Sequence, residues 1–171
     1  MSVTVSFEDK DINYSRVVRA SRSLNNSYVK VGFPEDGKVG RPYLDGSKHK
    51  PMTTMSEIAT NAARQEFGSR NRKNPVPPRP FMGPAIDGNR AQINHIIRGL
   101  LDNVISGSIQ PRTALRALGE EGAGLIKRSI EEFFSPGLRP RTIQNKGSDK
   151  PLIDRGQMVE SVSFKVVSNG F

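Results

Sequence analysis

The sequence predicts a single domain, residues 1–171, that mixes β-strands with α-helices. Its length suits one domain of ordinary size. Short segments that alternate apolar and polar residues predict strands, and longer segments with apolar residues three and four positions apart predict helices. Hydrophobic residues make up 35% of the chain, and its 16 glycines and 12 prolines cluster. We therefore expect a modest core with long polar loops.

Strands are predicted near both ends of the chain. Residues 2–7 and 28–33 alternate apolar with polar side chains, as does the closing segment 161–167 with its Phe164. A helix is predicted between the first two strands, over residues 9–24, because its apolar residues have nearly helical spacing.

Three further helices are predicted in the middle of the chain. Thr54 and Glu57 have the spacing of a capping box, which predicts a helix that begins there and ends at Gly68. The next two helices are predicted over residues 84–107 and 111–135, each with a proline in its first turn. We expect these two to pack as an antiparallel pair. The predicted core residues are Ile58, Phe67, Ile93, Ile97, Leu118, Ile126, Phe133 and Phe164.

Two basic segments without apolar periodicity are predicted to be loops. Residues 34–51 form the longer one, which we expect to be mobile in the free protein. Residues 69–82 form a proline-rich joint, which favours extended backbone. The joint is the best candidate for binding nucleic acid, although the pattern favours a solvated charged loop. The candidate interface residues in these segments are Lys38, Arg41, Arg70, Arg72, Lys73, Arg79 and Phe81.

Gly119, Gly122 and Gly124 lie inside the last of the predicted helices. Phosphate-binding glycine loops follow a strand, whereas this run lies in a helical stripe and carries two carboxylates. A glycine costs about 1 kcal/mol in a helix interior. We therefore expect Gly119 and Gly122 to let another backbone approach closely, such as that of a neighbouring subunit.

The ionisable side chains do not form a catalytic or metal-binding pattern. Neither His49 nor His95 has a ligand-type residue four positions away. The carboxylate pairs 120–121 and 131–132 are adjacent on predicted helices, so they diverge by about 100° and cannot flank one bond. The absence of cysteine excludes a disulfide, a thiolate zinc site and a cysteine nucleophile. We expect no enzymatic activity, cofactor or metal.

The chain is strongly basic, with 26 Lys and Arg against 17 Asp and Glu and a net charge of +9. Such an excess favours anionic partners, either nucleic acid or an acidic protein. A lipid surface is the least favoured partner, because no predicted helix combines a basic face with an aromatic one. No apolar run approaches the roughly 18 residues that span a bilayer, and no secretory signal is recognisable. We expect a protein that is made in a cytoplasm and does not bind membranes.

Several short motifs, taken in order, give the chain a resemblance to a known family. They are VKVGF at residues 29–33, EFG at 66–68, PRPFMGPA at 78–85 before an amphipathic helix, LIKRSI at 125–130 and PLIDRGQMVESV at 151–162. In this order the motifs resemble those of the tail-completion and neck proteins of tailed bacteriophages. The resemblance covers about residues 29–167.

The resemblance implies an α+β subunit in which a twisted antiparallel sheet is flanked by two long helices and carries long extended loops. It implies a homo-oligomeric ring, six- or twelve-fold, in the neck or tail of the virion. The implied partners are head-closure or connector proteins on one side, tail-tube or tail-terminator proteins on the other, and double-stranded DNA passing through the lumen. Such a ring would assemble in the host cytoplasm and would have no active site.

The residues alone leave other functions open. The charge and the basic joint also fit a free-standing domain that binds double-stranded nucleic acid. An enzyme or a regulatory partner of another kind is a third alternative. Ring formation by the purified protein distinguishes the first function, and a steep salt dependence of duplex affinity distinguishes the second.

The resemblance and the charge together predict where the basic joint makes its contacts. A lumen lined by many copies of Arg72 and Lys73 would hold a passing duplex too tightly. We therefore expect most of the joint to contact acidic faces of neighbouring proteins, with at most a few basic side chains facing the channel. Reversing the charge of Arg72 and Lys73 should impair the joining of heads to tails and leave DNA packaging unchanged, as counted by electron microscopy of infected cells. Side chains of these two residues against phosphate in a virion structure would contradict this expectation.

Overall fold

The computed structural model describes residues 12–25, 27–41, 50–70, 75–135, 137–146 and 149–168. They form seven α-helices and a two-stranded antiparallel sheet, an α+β arrangement. The strand predicted over residues 2–7 lies outside the described part of the chain. In chain order the elements are α1 Ile12–Asn25, β1 Ser27–Gly32, α2 Met55–Phe67, α3 Met82–Asp87, α4 Arg90–Ser106, α5 Pro111–Glu131, α6 Pro140–Lys146, α7 Gln157–Ser161 and β2 Ser163–Ser168.

The sheet packs against the longest helix, α5. Strands β1 and β2 run antiparallel, and Val31 lies opposite Phe164 in their register. Residues opposite each other in a sheet share a face, so both side chains lie on one side of it. That side faces α5 at Gly119 and Gly122.

The two glycines serve a contact inside the chain, which corrects their expected role as interface residues. Both are buried. A Cβ atom at Gly119 would collide with the ring of Phe164, and one at Gly122 would lie 3.1 Å from a methyl group of Val31. The close neighbour is therefore the protein's own sheet, through its side chains, and not the backbone of another subunit.

The core has two parts, a main cluster and a smaller one. The smaller cluster joins α1, α4 and α5 through Ala20, Val104 and Ala114. Val104, near the end of α4, packs with Ala114, near the start of α5. Gln92, in the first turn of α4, donates a hydrogen bond of 2.7 Å to Glu121, further along α5. These contacts make α4 and α5 antiparallel. The buried members of the main cluster are Ala62, Phe81, Ala85, Ala123, Ile126, Ile130, Leu152, Ile153, Met158, Val159 and Val162.

The capping box predicted at the start of α2 is confirmed. The Thr54 hydroxyl accepts the Glu57 N–H at 3.2 Å, and the Glu57 carboxylate accepts the Thr54 N–H at 3.2 Å. The backbone N–H groups of Thr53 and Thr54 hold the pKa of the Glu57 carboxyl below its ordinary value. The helix ends at Gly68, whose φ of 74° suits a glycine.

The prediction that Phe67 belongs to the core is wrong, because its side chain is 80% exposed. Ile58 marks the buried side of α2, and Phe67 follows it by nine positions. At about 100° per residue this separation amounts to half a turn, which places Phe67 on the solvent side. Among the other predicted core residues, Ile58 and Ile126 are buried, while those half-buried are Ile93, Ile97, Leu118, Phe133 and Phe164.

The helix predicted over residues 84–107 is interrupted and forms α3 and α4. At the interruption the Asn89 N–H bonds to the Ile86 carbonyl, three residues back, and the Asn89 side chain donates to the Ala85 carbonyl at 2.8 Å. These bonds, next to Gly88, turn the chain between the two helices. Asp87 consequently ends α3, where it pairs with Arg90 at 2.7 Å, and does not lie at a helix start as expected.

The C-terminal part contains more helix than the sequence predicts. The helix that begins at Pro111, as predicted, ends at Glu131 and not near residue 135. The polar stretch after it contains α6, which begins at Pro140, a residue whose fixed φ suits a first helical turn. Residue 161, the predicted start of the last strand, ends α7 instead.

Alanine substitution at two glycines of α5 tests the close packing of the sheet against this helix. Gly119→Ala should destabilise the protein by about 1–3 kcal/mol, because its methyl group would displace the Phe164 ring. Gly124→Ala is the matched control: nothing lies within 4 Å of its Cβ position, so better helix propensity should leave stability equal or up to about 1 kcal/mol higher. Denaturant unfolding measures both, and equal effects would contradict the close contact.

Candidate interaction surface

The Glu66 carboxylate links the end of α2 to the start of α3. It accepts the backbone N–H groups of Phe81 at 2.7 Å, Met82 at 2.9 Å and Gly83 at 3.1 Å. These are donors that a helix start leaves without helical partners, and a negative charge there is favourable. The carboxylate therefore holds the last part of the proline-rich joint against α2.

Phe81 and Arg79 lie inside this connection and not on an interface, which corrects two of the predicted interface positions. Phe81 is completely buried, and its carbonyl accepts the Ser129 hydroxyl at 2.8 Å. Arg79 is 8% exposed; its guanidinium donates to the Gln65 side chain at 2.9 Å and its backbone N–H to the Gln65 carbonyl at 2.6 Å. Burial lowers the pKa of the Arg79 guanidinium from its ordinary value.

The first part of the joint is held by a pair of backbone hydrogen bonds. Ser69 and Val76 exchange two backbone hydrogen bonds, of 2.9 and 3.0 Å, and so close the segment between them. Arg70 is exposed at the base of this segment. Arg72 and Lys73 belong to the same segment in sequence but lie outside the described residues.

A single buried side chain, Gln157 of α7, holds both ends of the long basic loop. Its carbonyl oxygen accepts the Met52 N–H at 2.9 Å, and its amide nitrogen donates to the carbonyls of Gly40 at 3.1 Å and Met52 at 2.9 Å. The Ser161 hydroxyl accepts the Gly40 N–H at 2.7 Å and donates to the Gln157 carbonyl at 2.6 Å. Gly40 and Met52 are thus held side by side.

The predicted mobile loop is therefore anchored at its base. Lys38 and Arg41 on one side and Lys50 on the other are all exposed beside the Gln157 contacts. Three exposed cations therefore flank the anchored positions. Of the segment 34–51 that is predicted to be mobile, residues 42–49 lie outside the described residues.

A cleft of about 670 Å³ opens next to this anchored base. It lies between α2, residues 75–79 of the joint, the start of α6 and the turn before α7. Its charged lining residues are Lys50, Arg79, Arg139 and Asp154.

The His and Glu residues considered in the sequence lie at exposed or half-buried positions where the structure describes them. His95 is exposed on α4, and His49 lies outside the described part. The Glu121 carboxylate accepts from Gln92 and lies 3.7 Å from the Arg128 guanidinium, which is the arrangement of a solvated helix face. In the described ranges there is no group of three or more potential metal-binding His, Asp or Glu side chains, and no helix there is long and apolar enough to cross a membrane.

Comparisons with protein-family models, with curated proteins and with solved structures find no match for this chain.

Sequence reasoning did not identify the two residues that organise this surface. Glu66 belongs to the EFG motif at residues 66–68. Its carboxylate accepts the backbone N–H groups of residues 81–83, and no spacing of residues in the sequence reveals this contact. Gln157 carries a weak signal, since it is a lone amide beside the apolar pair Met158 and Val159. A polar side chain in a buried run requires hydrogen-bond partners, but its partners lie more than a hundred residues away.

The Gln157 anchor is tested by Gln157→Leu, which keeps the approximate size and removes all three side-chain hydrogen bonds. The half-buried Met52 N–H loses its acceptor, at a cost of about 1–3 kcal/mol in local stability. Hydrogen exchange at Met52 should therefore become about 5- to 150-fold faster. Gln144→Leu on the exposed side of α6 is the control and should leave this rate unchanged. An unchanged rate in Gln157→Leu would show that the amide does not hold the loop.

Proposed function

We propose that the chain is a structural subunit of the neck of a tailed bacteriophage, forming a ring that joins the DNA-filled head to the tail. The observation that carries the proposal is that the motifs of the resemblance meet in one core. Residues 78–85 supply Phe81 and Ala85, residues 125–130 supply Ile126 and Ile130, and residues 151–162 supply most of the remaining buried members. The motifs are therefore structural, as suits a protein whose work is geometric.

Exposed apolar side chains support assembly with further copies. Leu101 and Ile105 are 40% and 48% exposed and lie four positions apart on α4, so they form one patch. Apolar surface of this kind is stabilised when a neighbouring subunit covers it. The ring of the proposal is six- or twelve-fold, leaves a lumen for duplex DNA and belongs to the virion.

The neighbouring head-side and tail-side proteins of such a ring would meet the anchored loops. Hydrogen bonds hold the long loop at Gly40 and the chain just after it at Met52, and they hold the first part of the joint at Ser69 and Val76. A segment of this kind presents a basic surface at a defined position. The proposed subunit is a twisted antiparallel sheet flanked by two long helices, with long loops that contact the partner proteins.

Native mass spectrometry of the full chain tests the ring. We expect closed assemblies of six or twelve copies. Leu101→Glu with Ile105→Glu should reduce them to monomers by placing charges in the patch on α4. Ser56→Glu with Thr60→Glu adds the same charge at the same spacing on the exposed side of α2 and should leave the assembly intact. A strictly monomeric wild-type protein at high concentration would refute the ring and favour a free-standing nucleic-acid-binding domain.

A further inference from the structure

The outer face of α1 carries arginines that the fold does not use. Ala20 is buried against α4 and α5, with Leu24 packed beside it, and these define the inner side of the helix. At about 100° per residue, Ser15, Arg19 and Arg22 lie on the opposite side. Both arginines are exposed, so their guanidinium groups point away from the core.

The charge on this face is not neutralised by the rest of the helix. The segment INYSRVVRASRSLN contains three arginines and no carboxylate. Arg16 is used within the fold, because it donates to the Ser106 carbonyl at the end of α4 at 3.0 Å. Within the described part of the chain, Arg19 and Arg22 take part in no ion pair or hydrogen bond. The three acidic residues that precede the helix in sequence, at positions 8, 9 and 11, lie outside that part.

No side chain on this face carries a negative charge. Tyr14, Ser15, Arg19, Arg22 and Ser23 lie along this side of α1, together with Val18. Arginine, serine and tyrosine side chains are the groups that proteins commonly use to contact phosphate oxygens. The two serines are small, so they allow a backbone of phosphates to approach the helix closely.

We propose that this face of α1 binds the sugar–phosphate backbone of double-stranded DNA, with Arg19 and Arg22 each neutralising a phosphate. An acidic protein is the less suitable partner, because protein interfaces have a largely apolar and aromatic centre, whereas the arginines and serines occupy the centre here. Single strands are also less suitable, since they require several exposed aromatic rings for stacking and this face has only Tyr14. The helix, about 21 Å long, can lie along a duplex.

This inference deepens the proposed function, since a neck subunit would meet DNA in its lumen, but it is tested by DNA binding alone. Fluorescence anisotropy of a labelled duplex of about 30 base pairs, titrated with the full chain at salt concentrations from about 50 to 200 mM, gives the affinity and its salt dependence. Arg19→Gln with Arg22→Gln removes both cations and keeps a good helix former at each position. The slope of log affinity against log salt should fall by about 1.8, and affinity at 0.1 M salt should fall about tenfold or more.

The matched control is Arg112→Gln with Arg116→Gln, two exposed arginines on α5 whose loss changes the net charge equally. It should keep at least about half of the wild-type affinity and the full salt slope. Equal losses in the two double variants would show a general effect of net charge and overturn the proposal. No binding of the duplex by the wild-type protein would also overturn it, as would tighter binding of the single strand.

Native mass spectrometry of the same variants separates this inference from the ring. The Arg19 and Arg22 double variant should assemble like the wild type; loss of assembly would place α1 at a protein contact and overturn the DNA proposal. A wild-type protein that stays monomeric but binds duplex through Arg19 and Arg22 would refute the neck function and leave this inference standing.

Discussion

The close approach of the sheet to α5 is the contact on which the rest of the molecule depends. Phe164 and Val31 can lie over Gly119 and Gly122 only because these positions have no side chain. The same helix then supplies residues to the main cluster and, near its start, to the smaller cluster with α1 and α4. A shift of the sheet away from α5 would open cavities in the main core, whose cost rises with the volume left empty.

Two polar side chains, Glu66 and Gln157, hold the irregular segments in place by hydrogen bonds to their backbone. Glu66 fixes the end of the proline-rich joint by three backbone hydrogen bonds, and Gln157 fixes both ends of the long loop by three more. In the joint, Phe81 adds an apolar contact with the main cluster beside the Glu66 hydrogen bonds. Binding residues are commonly found on loops that a rigid scaffold positions in this way.

Local signals in the sequence predicted local structure correctly. The predictions failed where contacts between residues distant in the sequence determine the structure. The capping box at Thr54 and the helix start at Pro111 depend on neighbouring residues alone, so both were predictable. The interruption at Asn89 depends on one side-chain hydrogen bond inside an otherwise continuous apolar pattern, which periodicity cannot detect. The glycines of α5 predicted a close approach correctly but could not identify the approaching group. Gln157 was missed for the same reason, because its partners are contributed by another part of the chain.

The net charge predicted an anionic partner but not which cations would contact it. The fold distinguishes cations that are buried or paired within the protein from cations that are exposed. Arg79 is buried, Arg16 serves the end of α4, and Lys165 pairs with Asp36 at 2.8 Å. Arg19 and Arg22 lie on an exposed face of α1 whose side chains carry no negative charge. Contacts from such a face to phosphates carry no sequence information, and counterions replace them readily, so a duplex bound through them can still slide. A small number of such cations in each subunit is therefore compatible with a channel through which DNA must move, whereas a fully basic lumen is not.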